Sequence, residues 1–161
     1  MRLFSARPSS LALLALLALP CLMACTPSHN WRTVRVGPAD SLFPCKPVTA
    51  ERAVALAGGT RSMSLTACAV DEVTYAVSWV QATSAADAAQ VAQALRDTQA
   101  TNWRANGAAG TSTLLISAPP AGAASVLQGV VIGAPGPWQQ AQRAGLAEQF
   151  LASLKVTGAR P

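Results

Sequence analysis

The chain has 161 residues, of which only 12% are charged and 51% hydrophobic, with a formal charge of +5. Its arginines, from Arg32 through Arg96 to Arg160, stand singly and without a recognised nucleic-acid module, which excludes the clustered basic surface that a phosphate backbone demands. Alanine and the first twenty-five residues inflate the apolar share, so strong core anchors are few.

Arg2 and Arg7 precede an apolar run from Leu11 to Leu19, which Pro20 breaks before Leu22, Met23, Ala24 and Cys25. A charged start, an apolar middle and a small-residue end are the parts of an export signal. The apolar run is about 15 residues, short of the roughly 20 that a helix needs to cross a hydrocarbon core. The Leu22-Met23-Ala24-Cys25 ending resembles the bacterial lipobox. That resemblance implies cleavage before Cys25, a thioether diacylglycerol on its sulfur, and an N-acyl chain such as palmitate on its amine. Cys21 competes poorly, because Pro20 occupies the position where a small, flexible residue is wanted. Thr26, in place of Asp, favours the outer over the inner membrane by similarity to enterobacterial lipoproteins. Loss of 24 of the 161 residues leaves 137, the size of one domain, and removes two cations to give a charge of about +3. A domain of that size needs neither cofactor nor metal to bury a sufficient core.

Residues 25–30 read as a polar tether that includes His29, the only histidine, expected to be solvated and without a role. A single domain follows over 31–158. Trp31 to Val36 alternates as a first strand, ended by Gly37-Pro38. Ser41 to Pro47 is a second extended piece, with Pro44 and Pro47 excluding a helix. Arg52 to Leu56 and Ser62 to Val70 form a hairpin about Gly58-Gly59, with Met63, Leu65 and Ala67 facing inward. Asp71-Glu72 turn the chain into the clearest period-two segment, Val73, Tyr75, Val77 and Trp79 alternating with Thr74, Ala76 and Ser78. These two adjacent carboxylates point apart in an extended chain and serve a turn rather than acid–base chemistry.

Ser84 and Asp87 cap a helix whose Ala88, Val91, Ala92 and Leu95 make a narrow stripe of mostly small residues, and Asn106-Gly107 close it. Thr111 to Ala118 and Ser125 to Ile132 are two more strands, separated by Pro119-Pro120. After the break at Gly133 to Pro137, Trp138 starts a closing helix that buries Leu146, Ala147, Phe150, Leu151 and Leu154. The glycine pairs lack the spacing of a phosphate-binding loop and are turns.

Once Cys25 carries lipid, Cys45 and Cys68 are the remaining thiols of an exported chain, and a disulfide between them is expected. A redox pair or zinc site is the rival, but the spacing fits neither a CxxC motif nor a zinc knuckle. The order of elements specifies an α+β domain, a mostly antiparallel sheet packed with two helices. Phe43-Pro-Cys-Lys-Pro47 and Ala147-Glu-Gln-Phe150-Leu-Ala-Ser153-Leu resemble the opening and final helix of small PsbP-like domains, with a similar layout in uncharacterised proteobacterial lipoproteins. The resemblance implies a ligand-binding or assembly-accessory scaffold and carries over no catalytic residue.

The domain holds no nucleophile motif and no histidine beyond the tether, so the expected function is non-catalytic. The chain reads as an envelope lipoprotein that holds its domain in the periplasm and binds a protein, glycan or lipid partner. The alternative is an envelope hydrolase built on converging carboxylates such as Asp40 and Glu51. A pocket with two or more carboxylates would favour the enzyme, and an apolar patch about Trp31, Trp103 or Trp138 the binding module.

Overall fold

The structure, a computed structural model, describes residues 29–118 and 123–157. Cys25, the signal segment before it and the Pro119-Pro120 link lie outside the described residues. The elements are β1 (Arg32–Val36), β2 (Ala39–Phe43), β3 (Val48–Leu56), β4 (Gly59–Val70), β5 (Val73–Ala82), α1 (Ala85–Asn106), β6 (Ala109–Ser117), β7 (Ala124–Gly133), α2 (Pro135–Arg143), α3 (Leu146–Ser153) and β8 (Lys155–Val156). The class is α+β, with all strand pairs antiparallel in a five-stranded sheet ordered β3-β4-β5-β7-β6 and a three-stranded sheet ordered β1-β2-β8.

Turn chemistry fixes the register of the first five strands. Gly37 adopts φ +55 between Val36 and its partner Ala39. The β3–β4 turn is Ala57-Gly58, both with positive φ, one residue earlier than the expected Gly58-Gly59, so that Gly59 already belongs to β4 and pairs with Leu56. Asp71 and Glu72 also lie in the left-handed region, and Val70 pairs with Val73 across them. Two successive positive φ values give the turn whose twist matches that of paired strands.

β5 is the middle strand, and burial on both of its faces explains its sequence. Val73, Tyr75 and Val77 belong to one core with Phe43, Leu127, Val131 and Phe150. On the reverse face Val80 and Ala82 join a second core with Val91, Ala92, Leu95 and Met63. Met63 is buried as expected, while Leu65 and Ala67 on the same face are only half-buried. The large sheet is therefore a middle layer, between α1 on one side and β1, β2, α2 and α3 on the other.

α1 begins where the sequence places it. Ser84 is the N-cap, its hydroxyl accepting from the Asp87 backbone N–H, and Gly107 caps the other end with φ 58. Asp87 also accepts two bonds from the Arg61 guanidinium of β4, at 3.0 and 2.6 Å, and one each from the Thr83 backbone N–H and hydroxyl. The Thr83 backbone N–H foremost, then the Thr83 hydroxyl and Arg61, hold the Asp87 carboxyl below its ordinary value, outweighing the opposing effect of desolvation.

The closing helix of the sequence reading is two helices. Gly145, at φ +70, interrupts it between α2 and α3, and Pro135 and Pro137 sit in the first turn of α2 rather than before it. Proline is tolerated there because the first helical N–H groups have no acceptor in the helix. The break turns Trp138 and Phe150 into one core. Phe150 meets Phe43 and Tyr75 edge-on, with ring centroids 5.1 and 5.4 Å apart. Ser153 accepts from the Leu42 backbone N–H at 2.8 Å and donates to the Phe150 carbonyl at 2.6 Å, fastening α3 to β2.

Cys45 and Cys68 form the expected disulfide, with Cα atoms 5.9 Å apart. It joins the segment after β2 to the far end of β4 across 23 residues, a closure worth about 3 kcal/mol by loop entropy. Among the described residues no helix is long and apolar enough to cross a membrane.

Two expectations follow. A Cβ at Gly37 would lie 2.5 Å from the Trp79 indole, on top of the cost of positive φ, so Gly37→Ala should lower unfolding free energy by about 2–4 kcal/mol in urea melts. The depressed Asp87 carboxyl contributes stability that is complete above its unfolded value and lost as pH falls through the folded one. Asp87→Asn should therefore be less stable at neutral pH and lose less further stability than the parent below about pH 4.

Candidate functional site

The helical stripe that buries Ala88, Val91, Ala92 and Leu95 changes character halfway along α1. At the same spacing it continues as Thr98, Gln99, Asn102, Trp103 and Asn106, which line a cleft of about 300 Å³ against the large sheet. Helical periodicity keeps these residues over the sheet while their polarity prevents them from closing on it as the first half does.

The floor of the cleft comes from β3, β4, β5 and β7. Met63, Leu65, Ala76, Val130 and Ile132 supply apolar surface, and Ser78 and Gln128 interrupt it. Ser78 and Gln128 are paired residues on adjacent strands, 7% and 5% exposed. Gln128 donates from its side-chain amide to the side-chain oxygen Oε1 of Gln99 in a short contact, and the Gln99 side-chain amide donates to the Ser112 hydroxyl at 2.9 Å. This chain of amides crosses from sheet to helix to edge strand.

Trp103 closes the end of the cleft. Gly110 makes room for it, since a Cβ there would lie 3.2 Å from the indole and 2.4 Å from the Val131 carbonyl oxygen. Arg52 of β3 stands on the opposite side and has no ion-pair partner among the described residues. The cleft thus offers amides, hydroxyls, one indole and one cation. Among the described residues, no carboxylate lines it.

A cleft of about 210 Å³ lies under the Asp71-Glu72 turn, lined by His29, Asp71, Tyr75, Pro137, Gln140 and neighbours. His29, expected to be solvated, is packed here: its side chain is 17% exposed, stacked on Trp31, with Nε2 3.4 Å from the Asp71 carboxylate. The Asn30 backbone N–H donates to the Pro44 carbonyl, which draws this stretch onto the domain. Burial, with a smaller contribution from Asp71, pushes the Tyr75 phenol above its ordinary value. A further cleft, of about 380 Å³, lies between β6 and the α2–α3 pair and includes Trp138 and Glu148.

The candidate carboxylates are not brought into any of these clefts. Asp40 sits on β2 and pairs with Arg35 at 3.4 Å, and Glu51 is exposed on β3. Among the described residues no group of three or more His, Cys, Asp or Glu is placed to hold a metal. Sequence reasoning singled out Trp103 but missed its amide neighbours. Their signal was the loss of apolar residues from the stripe after Leu95 while the helix continued.

No protein-family model, curated protein or solved structure matches this chain.

The amide pair makes the polar lining testable as a cost to stability. Gln99→Leu should destabilise by about 1–3 kcal/mol, because it strands the buried Gln128 amide. Adding Gln128→Leu should recover that loss or improve on the parent in thermal melts, since both polar partners are then gone.

Proposed function

We propose that this chain is a lipid-anchored module of the bacterial cell envelope, and that its domain binds a ligand rich in hydroxyl or amide groups in the cleft under α1 without transforming it. The lining of that cleft carries the reading. A sheet face covered by a helix is normally apolar, and Ser78, Gln99 and Gln128 occupy positions where leucine or valine would bury more area. Amides in reach of a flat apolar floor and an indole suit a sugar ring, which has both hydroxyl edges and apolar faces. Arg52 leaves room for one anionic group on the ligand.

The anchor rests on the order of charges, apolar run and Leu22-Met23-Ala24-Cys25. The Cys45–Cys68 disulfide is consistent with an oxidising compartment such as the periplasm. Likeness to PsbP-like domains and proteobacterial lipoproteins points the same way, to a binding or assembly-accessory scaffold. In this reading three residues lie between the acylated Cys25 and the packed His29, a reach of at most about 14 Å. The Asp71-Glu72 turn and the Trp103 end of the cleft would then face the lipid surface at close range, with the outer membrane the favoured one. The alternative, an envelope hydrolase, draws no support from Asp40 or Glu51, which line none of the clefts described.

One set of measurements tests both parts. In cells, Cys25→Ala should leave the protein unprocessed or release it from the membrane fraction; unchanged lipid labelling would refute the anchor. For the cleft, titration with N-acetylglucosamine and galacturonate trimers should change Trp fluorescence in the parent and lose at least tenfold in affinity in Gln99→Leu/Gln128→Leu. Absence of any response to uncharged and acidic saccharides alike would remove the proposed ligand class.

A further inference from the structure

The two edges of the large sheet are built differently. β3 carries Glu51 and Arg52 at its centre and follows Pro47. Charges and proline are the usual devices that keep an edge from pairing with another chain. β6, the opposite edge, reads Ala-Gly-Thr-Ser-Thr-Leu-Leu-Ile-Ser over Ala109–Ser117, with no charge and no proline, and its Ile116 is 46% exposed. Among the described residues no strand pairs with its outer side.

A cleft lies over this unguarded edge. Thr111 and Thr113 of β6 form one wall of the 380 Å³ space, and Trp138, Ala147, Leu151 and Glu148 of the helices form the other. Among the described residues Glu148 makes no ion pair or hydrogen bond, and among them it is the only charged one lining that cleft. An apolar wall leading to an unpaired carboxylate matches a side chain with a long aliphatic stem and a cationic head.

We propose that β6 accepts an extended peptide segment of another protein as a sixth strand, with a lysine or arginine of that segment seated in the Trp138 cleft against Glu148. In such an addition the main chain supplies hydrogen bonds along the edge, and alternate side chains supply selectivity through the pockets they enter. A second copy of this chain is disfavoured as the occupant. Its own β6 would present threonine, leucine and serine to the cleft and bring no cation to Glu148. This inference stands on β6 and α3, apart from the saccharide cleft under α1, and each can fail without the other.

The test uses full-length protein in detergent micelles and a labelled peptide, Ser-Gly-Thr-Val-Thr-Lys-Thr-Val-Thr-Gly-Ser. Anisotropy should show saturable binding that weakens at least tenfold when the peptide lysine becomes glutamate, and that vanishes when alternate peptide nitrogens are methylated in both registers. Glu148→Gln, an exposed change that leaves the fold intact, should weaken the lysine peptide at least threefold and leave an alanine peptide unaffected. No binding by any of the peptides, or equal binding by all of them, would overturn the proposal. So would a disulfide joining two copies of an Ile116→Cys variant in place of peptide binding, since the edge would then serve self-association.

Discussion

Two unequal faces on one strand set the dimensions of the whole domain. β5 presents Val73, Tyr75, Val77 and Trp79 to one side and Ala76, Ser78, Val80 and Ala82 to the other, and both sides are covered. On the large side the aromatic group of Tyr75, Phe43 and Phe150 fills the gap to the small sheet and α3. On the small side, Ala88, Val91, Ala92 and Leu95 of α1 share a core with Val80, Ala82, Ala124 and Val126 of the sheet, with Leu56 and Met63 beside them. Close packing of this kind leaves little slack, and a change of one carbon is felt, as the Gly37–Trp79 contact illustrates.

The cleft is the consequence of where that small-side match ends. After Leu95 the helix keeps its direction, tied at its start by the Arg61–Asp87 pair and capped by Gly107, but its inner stripe becomes amide and hydroxyl. Polar groups in such a place lose hydration and recover it only by pairing, which Gln99, Gln128 and Ser112 do with one another. The arrangement is stable enough to persist and less favourable than an apolar seam. A sequence under pressure only for stability would have continued the Val-Ala-Leu stripe, and the departure is what the proposed binding role would account for.

Much of the fold was legible because its signals are local. The Ser84 and Asp87 caps, the two-residue turn at Asp71-Glu72 and the alternation of β5 each act within a few residues, and each marks its element in the structure. The features that escaped were those decided at a distance. Gly145 was one glycine inside a helical pattern, and only the need to place both Trp138 and Phe150 in the same core makes it a break. β8, two residues long, exists because Ala39 and Asp40 offer a free edge to Val156 and Lys155. His29 looked solvated because its neighbours are polar, whereas its surroundings come from Trp31 and the turn at Asp71. The candidate site followed the same rule: Trp103 could be noticed alone, but its cleft exists only where β3, β4, β5 and β7 pass beneath α1.

Phe43 and Ser153 show how the two halves of the chain depend on each other. The end of β2 with its following Pro44 and the aromatic-to-serine stretch of α3 lie about a hundred residues apart, yet Phe43 rests on Phe150 and the Leu42 backbone is held by Ser153. The disulfide then binds the same segment, at Cys45, to β4. The small sheet is thereby fixed twice to α3 and once to β4 of the large sheet, and its first strand follows residue 25 by a few positions in the sequence. A domain tethered through that sheet, as proposed above, would restrict how far the α1 cleft and the β6 edge can tilt, because the Cys45–Cys68 bridge and the core shared by Phe43, Tyr75 and Val77 join it to the large sheet. Rigid coupling of this kind suits a module whose partners arrive along a surface, where orientation decides whether an edge or a cleft can be reached.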